Sequence, residues 1–246
     1  MAEETKKQNT IKEDEKKKGF FSESKIEMFA AIFLGITALL MAWATWIGSL
    51  HGGNQATNYT KSNNIAADGN SEYNSGLQNY LSDLMAWNAI VDYEFDIAIA
   101  ELNGRSEEVN FIEYKLKMYK EQNCSEILQE GLEWLDAQDE NSGIESPFEK
   151  EGLVDKYFEN ANNLLAESQE LLEQGMEDNK NGDRYGLVTV IYSVVLFMLG
   201  IIGVFKKLPN RKVVLIIAVI GLIIATVYMF TIPMPTDFSL FGYFGA

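Results

Sequence analysis

Asp92 and Asp96 stand four residues apart, with Glu94 between them and Glu101 following. On a helix the two aspartates share one face, and carboxylates so placed can share a divalent cation. Calcium takes roughly six to eight oxygens, usually from a shaped loop. The stretch with loop character, DAQDENSGIE at 136–145, has no Gly at its sixth position and no Glu at its twelfth, counted from Asp136 or Asp139. It therefore fails the calcium-loop pattern. Both clusters read as solvated acidic faces, and no metal-ligating residue is expected. One His and one Cys leave no zinc site and no internal disulfide. Cys124 is open to two readings, a cross-link between copies or a buried thiol, and His51 reads as an isolated interfacial residue. Asn54, Gln55, Asn58, Asn63, Asn64, Asn70 and Asn74, answered by Asn179 and Asn181, are expected to set helix register and hold water. No nucleophile elbow, phosphate loop, dinucleotide fingerprint or Cys/His couple occurs. No catalytic residue and no cofactor-binding residue is expected.

The elements that carry these residues follow from a split in the chain. Of 246 residues, 47% are hydrophobic and 23% charged, with a net charge of −16. Yet residues 28–50, 185–205 and 213–236 contain no Asp, Glu, Lys, Arg or His. As helices these runs reach about 31–36 Å, enough to cross a hydrocarbon core of about 30 Å. An ordinary soluble domain is excluded, and the acidic balance argues against nucleic acid as a partner. Proton relays, pumps and voltage sensors use ionisable residues at depth, which these runs lack. Thr37, Thr45, Ser49, Thr189, Ser193 and Thr226 are expected to pack or to bond back to their own helix. Gly35, Gly200, Gly203 and Gly221 are expected to let helices approach.

The first run is too long, and too far from the start, for a signal peptide; no small-residue cleavage site follows it, so it reads as an uncleaved anchor. Nine Lys and Arg flank the spans on one side: Lys12, Lys16, Lys17, Lys18, Lys25, Lys206, Lys207, Arg211 and Lys212. Only Lys61, Lys180 and Arg184 lie near them on the other. The positive-inside bias then places the N-terminus and the 206–212 hairpin in the cytoplasm, in a cell membrane. Seven segments are expected. These are a disordered Lys-rich cytoplasmic tail (1–27), transmembrane helices at 28–50, 185–205 and 213–236, an acidic helical extracytoplasmic domain (51–184), a cytoplasmic basic hairpin (206–212) and an extracytoplasmic tail (237–246). The fold class is all-α.

The domain at 51–184 holds 28 Asp and Glu against nine Lys and Arg, a net charge of −19. Apolar residues recur at helical spacing at Tyr73, Leu77, Tyr80, Leu81, Leu84, Trp87, Val91 and Phe95. A second stripe runs Leu153, Tyr157, Ala161, Leu164, Leu165, Ser168, Leu171, Leu172, Gly175 and Met176. The two are expected to pair as a coiled-coil-like hairpin of long helices closed by short helices at 106–122, N-capped by Ser106, and at 125–138. Fifty residues of such a hairpin would measure about 75 Å. Gly52, Gly53 and Gly182 are expected to bend its arms.

Trp43, Trp46, Gly53, Gln55, Ala56 and Ala66 lie in an Ala/Trp-rich span followed by a polar helix. Pro147, Phe148 and Tyr157 enter a helix that leads through Gly182, Asp183, Arg184 and Tyr185 to Leu196, Phe197, Gly200 and Ile201. In their order and spacing these residues resemble a family of uncharacterised prokaryotic three-span membrane proteins with a helical extracytoplasmic insert, over most of residues 40–235. The chain departs from that pattern in its Lys-rich start and its more acidic middle. The resemblance implies three spans and a helical insert, and carries no activity.

The function expected is that of a non-catalytic integral membrane protein whose acidic helical domain is an interaction or assembly module. Its partners would be the lipid bilayer and either further copies of itself or another membrane protein. The alternative is an oligomeric ion channel or transport accessory subunit, which would need a polar stripe along a span. A sensor holding a ligand between the long helices is a third reading.

Overall fold

The computed structural model describes residues 23–139, 143–205, 210–236 and 238–239. Within them the chain is helical, with no strand. Helix α1 runs Glu23–Leu102, α2 Ser106–Asn123, α3 Glu126–Asp136, α4 Glu159–Val204 and α5 Arg211–Met229, with 3-10 turns at Pro147–Glu149 and Val154–Tyr157. Three of these helices, α1, α4 and α5, are long and apolar enough to cross a membrane. The expected tail at 1–27 lies outside the described residues up to 22, as do most of the 206–212 hairpin and most of the 237–246 tail.

The chain divides into two compact units. One takes its described residues from 23–59 and from 173 onward, the other is Thr60–Leu172, and α1 and α4 contribute to both.

In the first unit, α4 buries Tyr185, Val188, Tyr192, Val195, Leu199 and Ile202, and α5 buries Leu215, Ala218, Leu222, Ala225 and Met229. Steps of three and four keep one seam of each helix facing its neighbours. Ala30, Ala44 and Ile47 complete the core from α1. The outward faces are equally apolar, with Leu187, Val190, Phe197, Ile216, Ile220, Ile223 and Val227 exposed. A helix apolar all round suits lipid rather than water. Of the four glycines expected at helix contacts, Gly221 alone meets another helix within the chain: a Cβ there would stand 3.2 Å from Val195. Gly35, Gly200 and Gly203 have nothing within 4 Å. The bends expected at Gly52, Gly53 and Gly182 are not helix breaks, since α1 and α4 run through them. Gly182 instead serves packing. A Cβ on it would lie 3.6 Å from the Gly48 carbonyl oxygen, and one on Gly48 would lie 3.1 Å from the Tyr185 Cβ.

In the second unit the buried face of α1 is not the expected apolar stripe. Ser62, Gly69, Gly76, Asp83 and Ile90 are buried, each seven residues after the last. Tyr73, Leu77, Leu81 and Phe95 stay exposed, and Tyr80, Leu84, Trp87 and Val91 are half-buried. Small residues win because the backbones come close. Ser62 Oγ donates to the Ser168 carbonyl (2.8 Å) and Ser168 Oγ to the Ser62 carbonyl (2.9 Å). A Cβ on Gly69 would lie 3.0 Å from Leu165, and one on Gly76 2.1 Å from the Tyr157 carbonyl oxygen. The second stripe fares better: Leu153, Tyr157, Ala161 and Ser168 are buried, but the first two precede α4 in or beside a 3-10 turn. A small core of Ala86, Ile90, Cys124, Leu128 and Leu132 joins α1 to α3.

Candidate functional site

The described contacts gather polar residues at three places, and the expected clusters are not among them. Asp92, Glu94, Asp96 and Glu101 are exposed on α1, with Glu94 3.9 Å from Lys120. Among the described residues no three His, Cys, Asp or Glu come together as metal ligands. Part of 136–145 lies outside the described residues. Of the amides, Asn63, Asn64, Asn70, Asn74 and Asn179 are exposed, whereas Asn181 is buried and Asn58 bonds across to α4; the Ser62–Ser168 pair adds a second polar tie between α1 and α4. Span hydroxyls bond back to their own helix: Thr37 to the Phe33 carbonyl (2.6 Å), Thr45 to Met41 (2.8 Å), Ser193 to Thr189 (2.8 Å) and Thr226 to Leu222 (2.7 Å). Thr45 and Ser193 are exposed on the outside of the bundle.

The first polar node centres on His51, which follows the first apolar run and is 1% exposed. Its Nδ1 lies 2.8 Å from Asp178 Oδ1, just before the second run, and its Nε2 lies 3.1 Å from the Pro233 carbonyl oxygen, at the end of the third. Asn58 Nδ2 donates to Asp178 Oδ2 at 3.3 Å. The imidazole stacks on the Tyr185 ring, centroids 5.8 Å apart. One side chain thus ties together the ends of three apolar runs. Arg211 does the same at their other ends, donating to the Ile202 carbonyl (2.7 Å) and to Glu27 (3.4 Å). Twenty-four residues separate Glu27 from His51, and as many separate Asp178 from Ile202. At 1.5 Å per residue the two ties stand about 36 Å apart, which brackets a hydrocarbon core of about 30 Å with its interfaces.

The third node lies in the second unit. Asp83 is 2% exposed. Its Oδ1 accepts from the Ser125 amide (3.0 Å), and its Oδ2 from the Tyr157 hydroxyl (2.7 Å) and from Ser125 Oγ. Ser125 also N-caps α3, accepting from the Leu128 amide. Asp83 thereby joins α1, the start of α3 and the turn before α4. Burial, with Asp83 alongside as hydrogen-bond acceptor, raises the Tyr157 pKa above its ordinary value. Burial also pushes the Cys124 thiol up, helped by the Asp83 charge. A buried, protonated thiol is a poor nucleophile, which favours the buried-thiol reading of Cys124 over the cross-link. Glu130, by contrast, is held down to about 2 by hydrogen bonds from Lys150 and Lys156.

His51 and Asp83 were not legible as sites. Their partners lie 127, 182, 42 and 74 residues away, beyond any local pattern. One signal was present: His51, Asp178 and Pro233 each fall at an apolar run's end on the same side of the expected topology. The N-cap of α2 is Arg105 rather than Ser106, and it makes no side-chain cap bond. The chain matches no protein-family profile, no curated protein and no solved structure.

Proposed function

We propose that the chain is a non-catalytic integral membrane protein whose acidic helical domain, a hairpin lying between the first and second spans, is an assembly module that joins copies of itself. The proposed topology places the N-terminus in the cytoplasm and the domain outside, in a cell membrane, as in the three-span family that the sequence resembles. One observation carries the reading. Residues 73–91 of α1 contain a single charged residue, Asp83, and it is buried. Leu77, Leu81 and Met85 are exposed along this stretch, at 37%, 46% and 66%. Their spacing of four puts them on one helix face. Across the same unit α4 exposes Glu159, Glu167 and Glu170. Two domains of charge −19 repel at most approaches, and a face without charge is where a second copy can dock. A basic partner would be drawn to the carboxylates instead.

Cysteine scanning tests this in native membranes, in a Cys124→Ala background. Oxidation should link Leu81→Cys into dimers and leave Glu167→Cys monomeric. Equal linking at both positions, or at neither, would end the reading. The channel alternative draws on the exposed Thr45 and Ser193 hydroxyls, whose hydrogens are already committed to backbone carbonyls.

A further inference from the structure

We propose that His51 and Asp178 form a proton-dependent latch that fastens the end of the third span to the first two. The Pro233 oxygen is a carbonyl, which only accepts, so His51 Nε2 must carry a hydrogen to bond it at 3.1 Å. Asp178 Oδ1 faces Nδ1 at 2.8 Å, so a second hydrogen must lie between those two atoms. Both contacts are satisfied only when the pair holds one proton more than a neutral imidazole beside an ionised carboxylate. The proton sits on Nδ1 or on Oδ1, and either arrangement closes the latch.

When that proton leaves, one ring hydrogen remains for two acceptors. It stays on Nδ1, because a hydrogen bond to a carboxylate is roughly twice as strong as one to a neutral carbonyl. The Nε2 lone pair then faces the Pro233 oxygen lone pairs, and that contact opens. Among the described residues no other contact supplies a hydrogen between Nε2 and the Pro233 oxygen. From α1 the neighbouring polar side chains are the amides Asn54, Gln55 and Asn58. From α4 they are Asp178 and the Tyr185 phenol, whose ring stacks on the imidazole. Arg184, the residue before Tyr185, donates to Asn181 (3.2 Å). Glu177 and Lys180 pair with each other at the surface. Residues 230–236 after α5 contain no ionisable side chain. Released, this segment would also free Phe238, which packs on Trp43 and Trp46 with centroids 6.1 and 5.8 Å away. The latch stands on the first unit alone and does not depend on self-assembly.

The test measures the distance between nitroxides on Lys180→Cys and Thr236→Cys, both exposed, in the full chain in lipid nanodiscs with Cys124→Ala. The pH is stepped from about 5 to about 9. The wild-type pair should show one short distance at low pH and lose that population at high pH. Asp178→Asn separates the latch from a plain salt bridge. Its amide can donate to an unprotonated Nδ1 while Nε2 keeps its hydrogen, so the short distance should persist at every pH. His51→Leu should lose it at every pH. A wild-type distance that ignores pH, or an Asp178→Asn variant that opens as His51→Leu does, would overturn the proposal. Unchanged helical circular dichroism identifies folded variants, and the wild-type titration alone decides should one fail to fold.

Discussion

Replacing Asp83 by Ala should be among the most damaging single changes in the second unit. The carboxylate accepts three hydrogen bonds in a buried setting, from the Ser125 amide, Ser125 Oγ and the Tyr157 hydroxyl. Bonds to a charged group contribute about 1.5–3 kcal/mol each, so three would give an upper bound of about 4.5–9 kcal/mol. Losing the carboxylate also removes the desolvation penalty of a buried charge, several kcal/mol. The net expectation is about 3–5 kcal/mol, in line with buried polar networks broken on one side. Asp83→Asn should cost less, because both hydroxyls can turn round to accept from the new amide hydrogens. Urea unfolding of the full chain in micelles, followed by Trp87 and Trp134 fluorescence in a Trp43→Phe, Trp46→Phe background, reads the difference. Tyr157→Phe should cost about 1.5–3 kcal/mol, and its combination with Asp83→Ala should fall short of the sum by about 0.5–3 kcal/mol, since both remove one bond. An Asp83→Ala midpoint within about 0.5 kcal/mol of wild type, the range of an ordinary surface change, would refute the keystone role.

Gly76→Ala should destabilise the second unit by about 1–3 kcal/mol, because its Cβ would stand 2.1 Å from the Tyr157 carbonyl oxygen; Gly35→Ala, with nothing within 4 Å, should instead gain up to about 1 kcal/mol, and parallel melts compare them. Tyr157 has a raised folded pKa, so its contribution is fully present below the unfolded value of 10.0 and is lost as pH rises beyond it. Melting temperatures should therefore fall above about pH 10, and the fall should be shallower in Tyr157→Phe. Glu130 runs the other way. Its folded pKa of about 2 lies below the ordinary value of 4.5, so its contribution should fade as pH drops between those values, and Glu130→Gln should flatten that limb of a melting profile. A reporter active only in the cytoplasm should be silent when fused after Ala246 and active when fused ahead of Met1; the reverse pattern would invert the proposed topology.

What was legible in the sequence is what has a local signature. The three apolar runs stand out because charge is absent over about twenty residues at a time. The short helices at 106–122 and 125–138 are close to α2 and α3 because polar and apolar residues alternate with the helical period. The buried face of α1 was not legible, because Ser62, Gly69, Gly76 and Asp83 have a seven-residue period without hydrophobic weight. Large side chains drew the expected stripe, but close backbone approach selects small ones. The continuity of α1 through Gly52 and Gly53 was also hidden. Each Gly costs a helix only about 1 kcal/mol, too little to end one anchored by packing at Gly48 and His51. The polar nodes join residues up to 184 positions apart, and only the folded chain brings them together.

The uncharged face of α1 is proposed to join copies of this chain. Counting fluorophore bleaching steps on single particles of the full chain, extracted from native membranes into nanodiscs, tests it most directly. Two or more copies per particle are expected for the wild-type chain, falling to one when Leu81 and Met85 are both replaced by Glu. Single copies in the wild type, or assemblies that persist unchanged in the double variant, would contradict it.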